Sequence, residues 1–319
     1  MRSLEELGNY YNTALMPELL VLEEQRKKVL KKVCLINGIV ILVVVAIAAT
    51  LIINKIEVQA VFFLGFVGIV AILGVYKWLS RDYVKNFKSG VIEKIVEFID
   101  PNLKYQREAC IPSVDFVKSK IFNRTPDRHR GDDYVSGTIG KTKIEFSEIH
   151  SEYVTRNSKG RSQWHTIFKG LFFVGDFNKH FKGITVVLPD TVEKLFGGFG
   201  NFLQKMNSSR GNLIKLEDAE FEKEFAVYSG DQVEARYILS TSLMKRIVDF
   251  KKKTGRKIFM SFVGSKIYVA ISFSKDLFEP RVFKTIIDFE QVIEYYQDLE
   301  LAIGIVEDLN LNLRIWTKE

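Results

Sequence analysis

Two stretches near the start of the chain depart from the mixed apolar and polar pattern of the rest. Residues 33–53 contain no charge and only Asn37 and Thr50 as strongly polar side chains, and residues 58–76 contain no acidic or basic residue. A helix rises about 1.5 Å per residue, so about 20 apolar residues cross a hydrocarbon layer of roughly 30 Å. Both stretches meet that length, and they predict two transmembrane helices joined by a tight turn at residues 54–57. The competing reading is a helical hairpin buried in a soluble core. The length and apolarity of the two segments argue against it.

The helical rhythm extends beyond both apolar stretches. Val75, Leu79, Tyr83, Phe87, Val91, Ile95 and Phe98 recur at helical spacing until Asp100-Pro101, where proline should end the pattern. Upstream, Leu15, Leu19, Leu22, Val29 and Val33 form a similar stripe, so the two helices are expected to pack together outside the apolar zone as well as within it. The predicted organisation is an N-terminal helix at 1–32, transmembrane helices at 33–53 and 58–76, an external turn at 54–57, a helical stalk at 77–100 and a cytoplasmic domain at 101–319.

Orientation follows from charge. Arg26, Lys27, Lys28, Lys31 and Lys32 precede the first apolar stretch, and Lys77, Arg81, Lys85 and Lys88 follow the second. The turn offers only Lys55, offset by Glu57. Lys and Arg accumulate at cytoplasmic ends, so both termini are expected in the cytoplasm of a bacterium, with the chain in the inner membrane. Glu23 and Glu24 lie ahead of the first apolar stretch and no small-residue cleavage site precedes the second, so no cleavable signal peptide is expected. Neither apolar stretch holds a charge that would serve a proton or ion path. Gly65, Gly68 and Gly74 hint at helix association and a homo-oligomer, although no GxxxG is present.

Beyond Cys110 short segments rich in Val, Ile, Phe, Tyr and Thr alternate with Gly, Asn, Asp and Pro. They predict strands at 134–139, 142–151, 166–176 and 183–188, close enough for antiparallel pairing, with one wet face in 142–149. Residues 213–216 and 225–228 read as short strands, and 234–253 as mostly helical. Residues 257–262 and 266–273, separated by Val263-Gly264-Ser265, form the clearest hairpin. A last helix is expected at 289–307, with Ile293, Tyr296, Leu299, Ala302, Ile303 and Val306 as its apolar side. The fold class is therefore α+β: a transmembrane hairpin and stalk, then mainly antiparallel strands with two or more helices.

Charge refines this picture. The 319-residue chain has a formal net charge of +7 and a pI near 9.1, compatible with an anionic membrane surface or nucleic acid. Much of the excess flanks the apolar stretches, where lipid is the simpler partner. Cys34 falls in an expected membrane helix and Cys110 in a soluble segment, so a disulfide between them is not expected.

The segments 168–173 (Phe-Lys-Gly-Leu-Phe-Phe), 221–225 (Phe-Glu-Lys-Glu-Phe), 227–229 (Val-Tyr-Ser) and 231–237 (Asp-Gln-Val-Glu-Ala-Arg-Tyr) resemble a bacterial family of two-span membrane proteins whose cytoplasmic domain has unknown function. Ser147-Glu148, Ser261-Phe262 and Phe278-Glu279-Pro280 extend the resemblance over nearly the whole chain. It implies the architecture described and no activity, cofactor or catalytic residue. Because genes of this family often lie near those of LemA-type membrane proteins, the resemblance also implies such a protein as a partner.

No constellation in the sequence reaches a specific chemistry, so no catalytic, cofactor-binding or metal-binding residue is assigned and no cofactor is expected. His129, His150, His165 and His180 form no HExxH or Cys-His pattern and read as ordinary histidines. The acidic run Glu217, Asp218, Glu220, Glu222 and Glu224 lacks EF-hand spacing and reads as a solvated loop entering a strand. Asp231 suits a helix N-cap, with Glu234 as the reach-back residue of a capping box. Gly197, Gly198 and Gly200 lack the Lys-Ser or Lys-Thr of a phosphate loop; with Leu195, Phe196, Phe199, Phe202 and Leu203 they read as a flexible loop or an amphipathic element. Basic runs at 118–130, 156–161 and 251–257 have aromatics nearby but no nucleic-acid motif.

The expected function is a membrane-anchored, non-enzymatic interaction or scaffold module that binds a protein partner or anionic lipid. Two alternatives stand beside it: a membrane-bound hydrolase whose carboxylates or histidines are gathered by folding, and a membrane-associated nucleic-acid binder, which is disfavoured.

Overall fold

The computed structural model describes residues 2–55, 58–158, 160–190 and 211–311, which divide into two units: Met1–Ile95 with Phe278–Tyr295, and Val96–Leu277 with Tyr296–Glu319. The glycine cluster at 197–200 with its apolar neighbours, and the turn residues Ile56 and Glu57, lie outside the described residues.

In the first unit, α1 (Leu4–Tyr10) begins with a capping box in which the Ser3 hydroxyl and the Glu6 carboxylate accept from each other's backbone N–H groups. A π-helical turn, Tyr11–Leu15, leads into α2 (Met16–Ile53), with Pro17 in its first turn where no N–H is required. Helix α3 (Val58–Phe87) continues through a second π-helical turn, Lys88–Ile92, into α4 (Glu93–Ile99), and the helix stops at Asp100-Pro101 as the sequence predicts. The expected stripes meet: Leu15, Leu19, Leu22, Val33, Tyr83, Phe87, Val91 and Ile95 are all buried. Gly68 has a local explanation, because a Cβ there would sit 3.0 Å from Val44 of α2, whereas Gly65 and Gly74 face open space.

The apolar stretches behave differently from their flanks. None of the most apolar eighteen-residue window of the first helix is buried, and only 6% of the corresponding window of the second. Leu42 is 71% exposed and Phe62 76%. A core helix of a soluble protein would cover these side chains.

A buried ion pair fastens the chain's later segment to α2. Arg26 donates from Nε and Nη2 to the Glu23 carboxylate at 2.8 and 2.6 Å, and from Nη1 to the Val282 carbonyl at 2.8 Å. The same carboxylate accepts the Ile286 N–H at 3.2 Å, so every charge is matched and residues 278–288 are held by hydrogen bonds. Lys88, almost fully covered, pairs with Glu279 at 2.7 Å.

The second unit is built on a nine-stranded, wholly antiparallel sheet in the order β1-β2-β3-β4-β9-β8-β5-β7-β6. The strands are β1 (Lys104–Gln106), β2 (Arg128–Ile139), β3 (Thr142–Arg156), β4 (Ser162–Asp176), β5 (Ile184–Pro189), β6 (Asn212–Ile214), β7 (Phe225–Ser229), β8 (Ile258–Val263) and β9 (Lys266–Ser272). Between them lie α5 (Ser113–Lys118), α6 (Ala219–Glu224), α7 (Gln232–Ile238) and α8 (Thr241–Thr254), and α9 (Phe289–Asp308) follows the last strand. One core cluster joins Phe116 of α5 to Ile149, Phe168, Phe172, Val174 and Tyr268 on the sheet.

Four expectations need correction. The helical segment at 234–253 is two helices: Leu239 leaves helical geometry and the Ser240 hydroxyl caps α8 by accepting the Leu243 N–H. Serine and threonine favour such caps over helix interiors. The acidic run is irregular only at Glu217 and Asp218; Glu220, Glu222 and Glu224 lie in α6, capped by Asp218, whose carboxylate accepts the N–H groups of Glu220 and Phe221. Asp231 does cap α7, yet Glu234 does not reach back to it and instead accepts the N–H groups of Lys182 and Gly183 at 2.9 and 2.8 Å. Finally, β3 has no wet face at its centre, since Phe146, Ser147, Glu148 and Ile149 are all buried.

Gly170, within the Phe-Lys-Gly-Leu-Phe-Phe segment, sits at φ +145°, where a Cβ would lie 2.1 Å from the Ile271 carbonyl of the neighbouring strand. Gly170→Ala should therefore destabilise the chain by roughly 3 kcal/mol or more, read from its denaturation midpoint. Arg26→Ala, by stranding the buried Glu23, should cost about 3–5 kcal/mol in detergent-solubilised full-length protein. Lys27→Ala, whose pair with Glu24 is exposed to water, should leave the melting midpoint unchanged. Equal effects from the two lysine and arginine variants would refute the role given to the buried pair.

Candidate functional site

The most concentrated buried polar chemistry lies where β2 and β3 fall out of step. Asp132 pairs with Glu148 and Val135 with Phe146, so Asp133 and Tyr134 together oppose Ser147 alone. A bulge of this kind bends the strand and re-aims a side chain. Asp133 takes φ +56°, a left-handed conformation that aspartate tolerates better than most residues. Its side chain is buried and accepts a hydrogen bond from the Tyr105 hydroxyl of β1, while its N–H donates to the Arg107 carbonyl at 3.1 Å.

Across the bulge stands Glu148, 6% exposed. One carboxyl oxygen from each of Asp132, Asp133 and Glu148 lies within 4.8 Å of the other two. The Leu277 N–H closes the site, donating to the Glu148 carboxylate at 2.7 Å, and Lys169 of β4 pairs with the adjacent Asp276 at 2.6 Å. Burial pushes the Glu148 carboxyl up to about 8, against the pull of the Leu277 N–H and with repulsion from Asp132, Asp276 and Asp133 adding to it. Nearby, Cys110 is a free thiol whose pKa is raised by burial and by Asp132. The arrangement favours a proton on Glu148 at neutral pH. Its oxygens are also of the kind that ligate Mg²⁺ or Ca²⁺.

In the sequence Ser147-Glu148 stands out only through the family resemblance, and Asp132 and Asp133 do not stand out. The signal available was slight: two adjacent aspartates before a strand, and a glutamate inside an apolar one. The convergence depends on a bulge, which strand periodicity does not reveal.

The four histidines are not brought together into this cluster. His129 lies between the Ser151 hydroxyl at 2.9 Å and the Ile111 carbonyl at 2.8 Å. His150 contacts Thr166 at 3.2 Å and Glu152 at 3.8 Å, His165 stacks on Tyr153 and contacts Thr155, and His180 is exposed. Burial lowers the His150 pKa, partly offset by Glu152.

Several cations of the basic runs at 118–130 and 251–257 face carboxylates within the unit. Lys251 and Lys252 of α8 pair with Glu224 and Glu220 of the acidic helix α6, and Lys253 pairs with Asp308. Arg128 and Arg130 share Glu152, with the Arg128 guanidinium 3.9 Å from the centre of the Trp164 ring. Arg236 donates to the Lys215 carbonyl, a structural duty.

Residues 166–311 match a family model described as "Protein of unknown function (DUF3137)". That span includes the motifs at 168–173 and 221–237 and omits the two apolar helices and the carboxyl cluster. No curated protein sequence matches the chain. Among solved structures, the crystal structure of the mycobacterial trehalose monomycolate transport factor A, TtfA, is similar over 72% of this chain and 97% of that one, at 10% identity and a TM-score of 0.33, a likeness too slight to carry function.

The pH dependence of stability tests the carboxyl assignment. A carboxyl whose folded pKa exceeds its unfolded value of about 4.5 stabilises the fold below the unfolded pKa and loses that contribution as pH rises through about 8. The parent chain should therefore lose melting temperature between pH 5 and 9 relative to Glu148→Gln, in which that loss is absent. Parallel curves for the two proteins would exclude a raised Glu148.

Proposed function

We propose that this chain is a membrane-anchored interaction module of the bacterial inner membrane. Residues 33–53 and 58–76 cross the bilayer as a hairpin, residues 54–57 face outward, and both termini with the α+β domain lie in the cytoplasm. There the domain meets a protein partner or anionic lipid at the inner leaflet. The observation that carries the reading is the pair of long apolar helices whose most apolar windows are almost wholly uncovered by protein, set between strongly basic flanks. A LemA-type membrane protein and a second copy of the chain are the partners to examine first.

The carboxyl cluster supports a second reading, a divalent-cation-dependent hydrolase. Metal analysis and an activity screen of the full-length chain separate the two: bound metal with cation-dependent turnover favours the hydrolase, and neither favours the module. A nucleic-acid role draws less support, since Lys251, Lys252, Lys253, Arg128 and Arg130 already face carboxylates.

Topology is tested by cysteine accessibility. In a Cys34→Ala, Cys110→Ala background, Lys55→Cys should react with a membrane-impermeant maleimide in intact spheroplasts, and Lys143→Cys only after lysis. Labelling of Lys143→Cys in intact spheroplasts would reverse the orientation.

A further inference from the structure

Where α2 and α3 leave the apolar zone, residues of both helices line a groove of about 400 Å³. Its walls carry Lys28 and Lys32 from α2 and Trp78, Arg81, Asp82 and Asn86 from α3. Lys28 and Lys32 are one helical turn apart, so both ammonium groups project on the same side of α2. Both are exposed, and no side-chain partner faces either among the described residues. Arg81 has only Asp82, at 3.4 Å and largely in water. The groove therefore holds three cations against one carboxylate. Asn86 and Gln25, also in the lining, are joined by a hydrogen bond of 3.1 Å donated by the Asn86 amide.

The position along the helices is as informative as the charge. Lys32 directly precedes the first apolar stretch, and Trp78 follows the second by two residues. Trp78 is 67% exposed. An indole at that level suits the headgroup boundary of a bilayer, where its ring meets apolar matter and its N–H meets polar groups. Basic pockets between helices at a cytoplasmic boundary suit phosphate headgroups.

We infer that this groove binds the phosphate of an anionic glycerophospholipid of the inner leaflet, with Lys28, Lys32 and Arg81 as its cationic contacts and Trp78 against the glycerol and upper acyl region. A zwitterionic lipid fits less well, because its ammonium group would meet a net positive wall. The inference rests on the membrane reading proposed above and names the lipid-binding site that reading lacks.

The test uses the full-length chain reconstituted in vesicles of phosphatidylcholine with or without phosphatidylglycerol. Vesicle flotation after alkaline wash first reports insertion, and a chain that fails to insert refutes the membrane reading itself. For inserted protein, native mass spectrometry of retained lipid reports preference. The parent chain should retain phosphatidylglycerol over phosphatidylcholine. The triple variant Lys28→Gln, Lys32→Gln, Arg81→Gln should lower that preference on the order of a hundredfold, at several-fold per charge. The control triple Lys27→Gln, Lys31→Gln, Lys77→Gln, outside the groove, should retain most of it. Equal loss in the control would mean diffuse surface attraction and overturn the site, as would an inserted parent chain with no preference. Displacement of the bound lipid by millimolar glycerol 3-phosphate would identify a soluble phosphate as the ligand and overturn the lipid assignment.

Discussion

The constraint on which the rest depends is that one continuous helical pair must satisfy two environments. Below the apolar zone, α2 and α3 bury Leu19, Leu22, Tyr83 and Phe87 against protein, as soluble helices do. Within it, Leu42, Phe62 and Phe66 are mostly uncovered by protein. Apolar surface left in water costs roughly 25 cal/mol per Å², and two helices of such side chains would make that cost prohibitive in water. The proposed membrane anchoring resolves the mismatch. Charge marks the boundary: Lys28, Lys31 and Lys32 on one helix, and Lys77 and Arg81 on the other, stand at the edge of the apolar zone.

Not all of the flanking positive charge is available to lipid. Arg26 is spent within the helical unit on Glu23 and the Val282 carbonyl, and Lys88 on Glu279. These two contacts bind the 278–295 segment to the N-terminal helices, so residues far apart in sequence form one unit. In the sheet unit the same economy recurs, with the acidic helix α6 facing the basic end of α8. The carboxyl cluster is the exception: like charges gathered under cover, which Glu148 accommodates by holding its proton to higher pH.

Much of the fold was legible in the sequence because its elements are strongly patterned. The apolar stretches, the stop at Asp100-Pro101, the 258–272 hairpin and the last helix follow from periodicity and turn chemistry alone. The strands β2, β3 and β4 run longer than read, because their outer ends carry Arg128, Arg130, Glu152 and Arg156, polar residues that resemble loop. Of these, Arg128 and Arg130 pair with Glu152 across the strands, which stabilises an extended end that composition alone disguises. The helix break at Ser240 and the helical acidic run were missed for a related reason: side-chain capping of a few backbone N–H groups outweighed a longer-range pattern. The carboxyl cluster was illegible, since it needs Asp133 in a left-handed conformation to gather with Glu148, fifteen positions away.

Depth-resolved spin labelling tests the central claim most directly. Nitroxides placed singly at Leu35, Leu42, Ile52, Phe62, Phe66 and Val70 of the reconstituted full-length chain report collision with oxygen, which concentrates in hydrocarbon, and with a polar nickel chelate, which is excluded from it. Lipid as the solvent of these helices predicts oxygen accessibility that is greatest near Leu42 and Phe66 and nickel accessibility that rises only toward the ends. Uniform access by the nickel chelate along both helices would contradict the account.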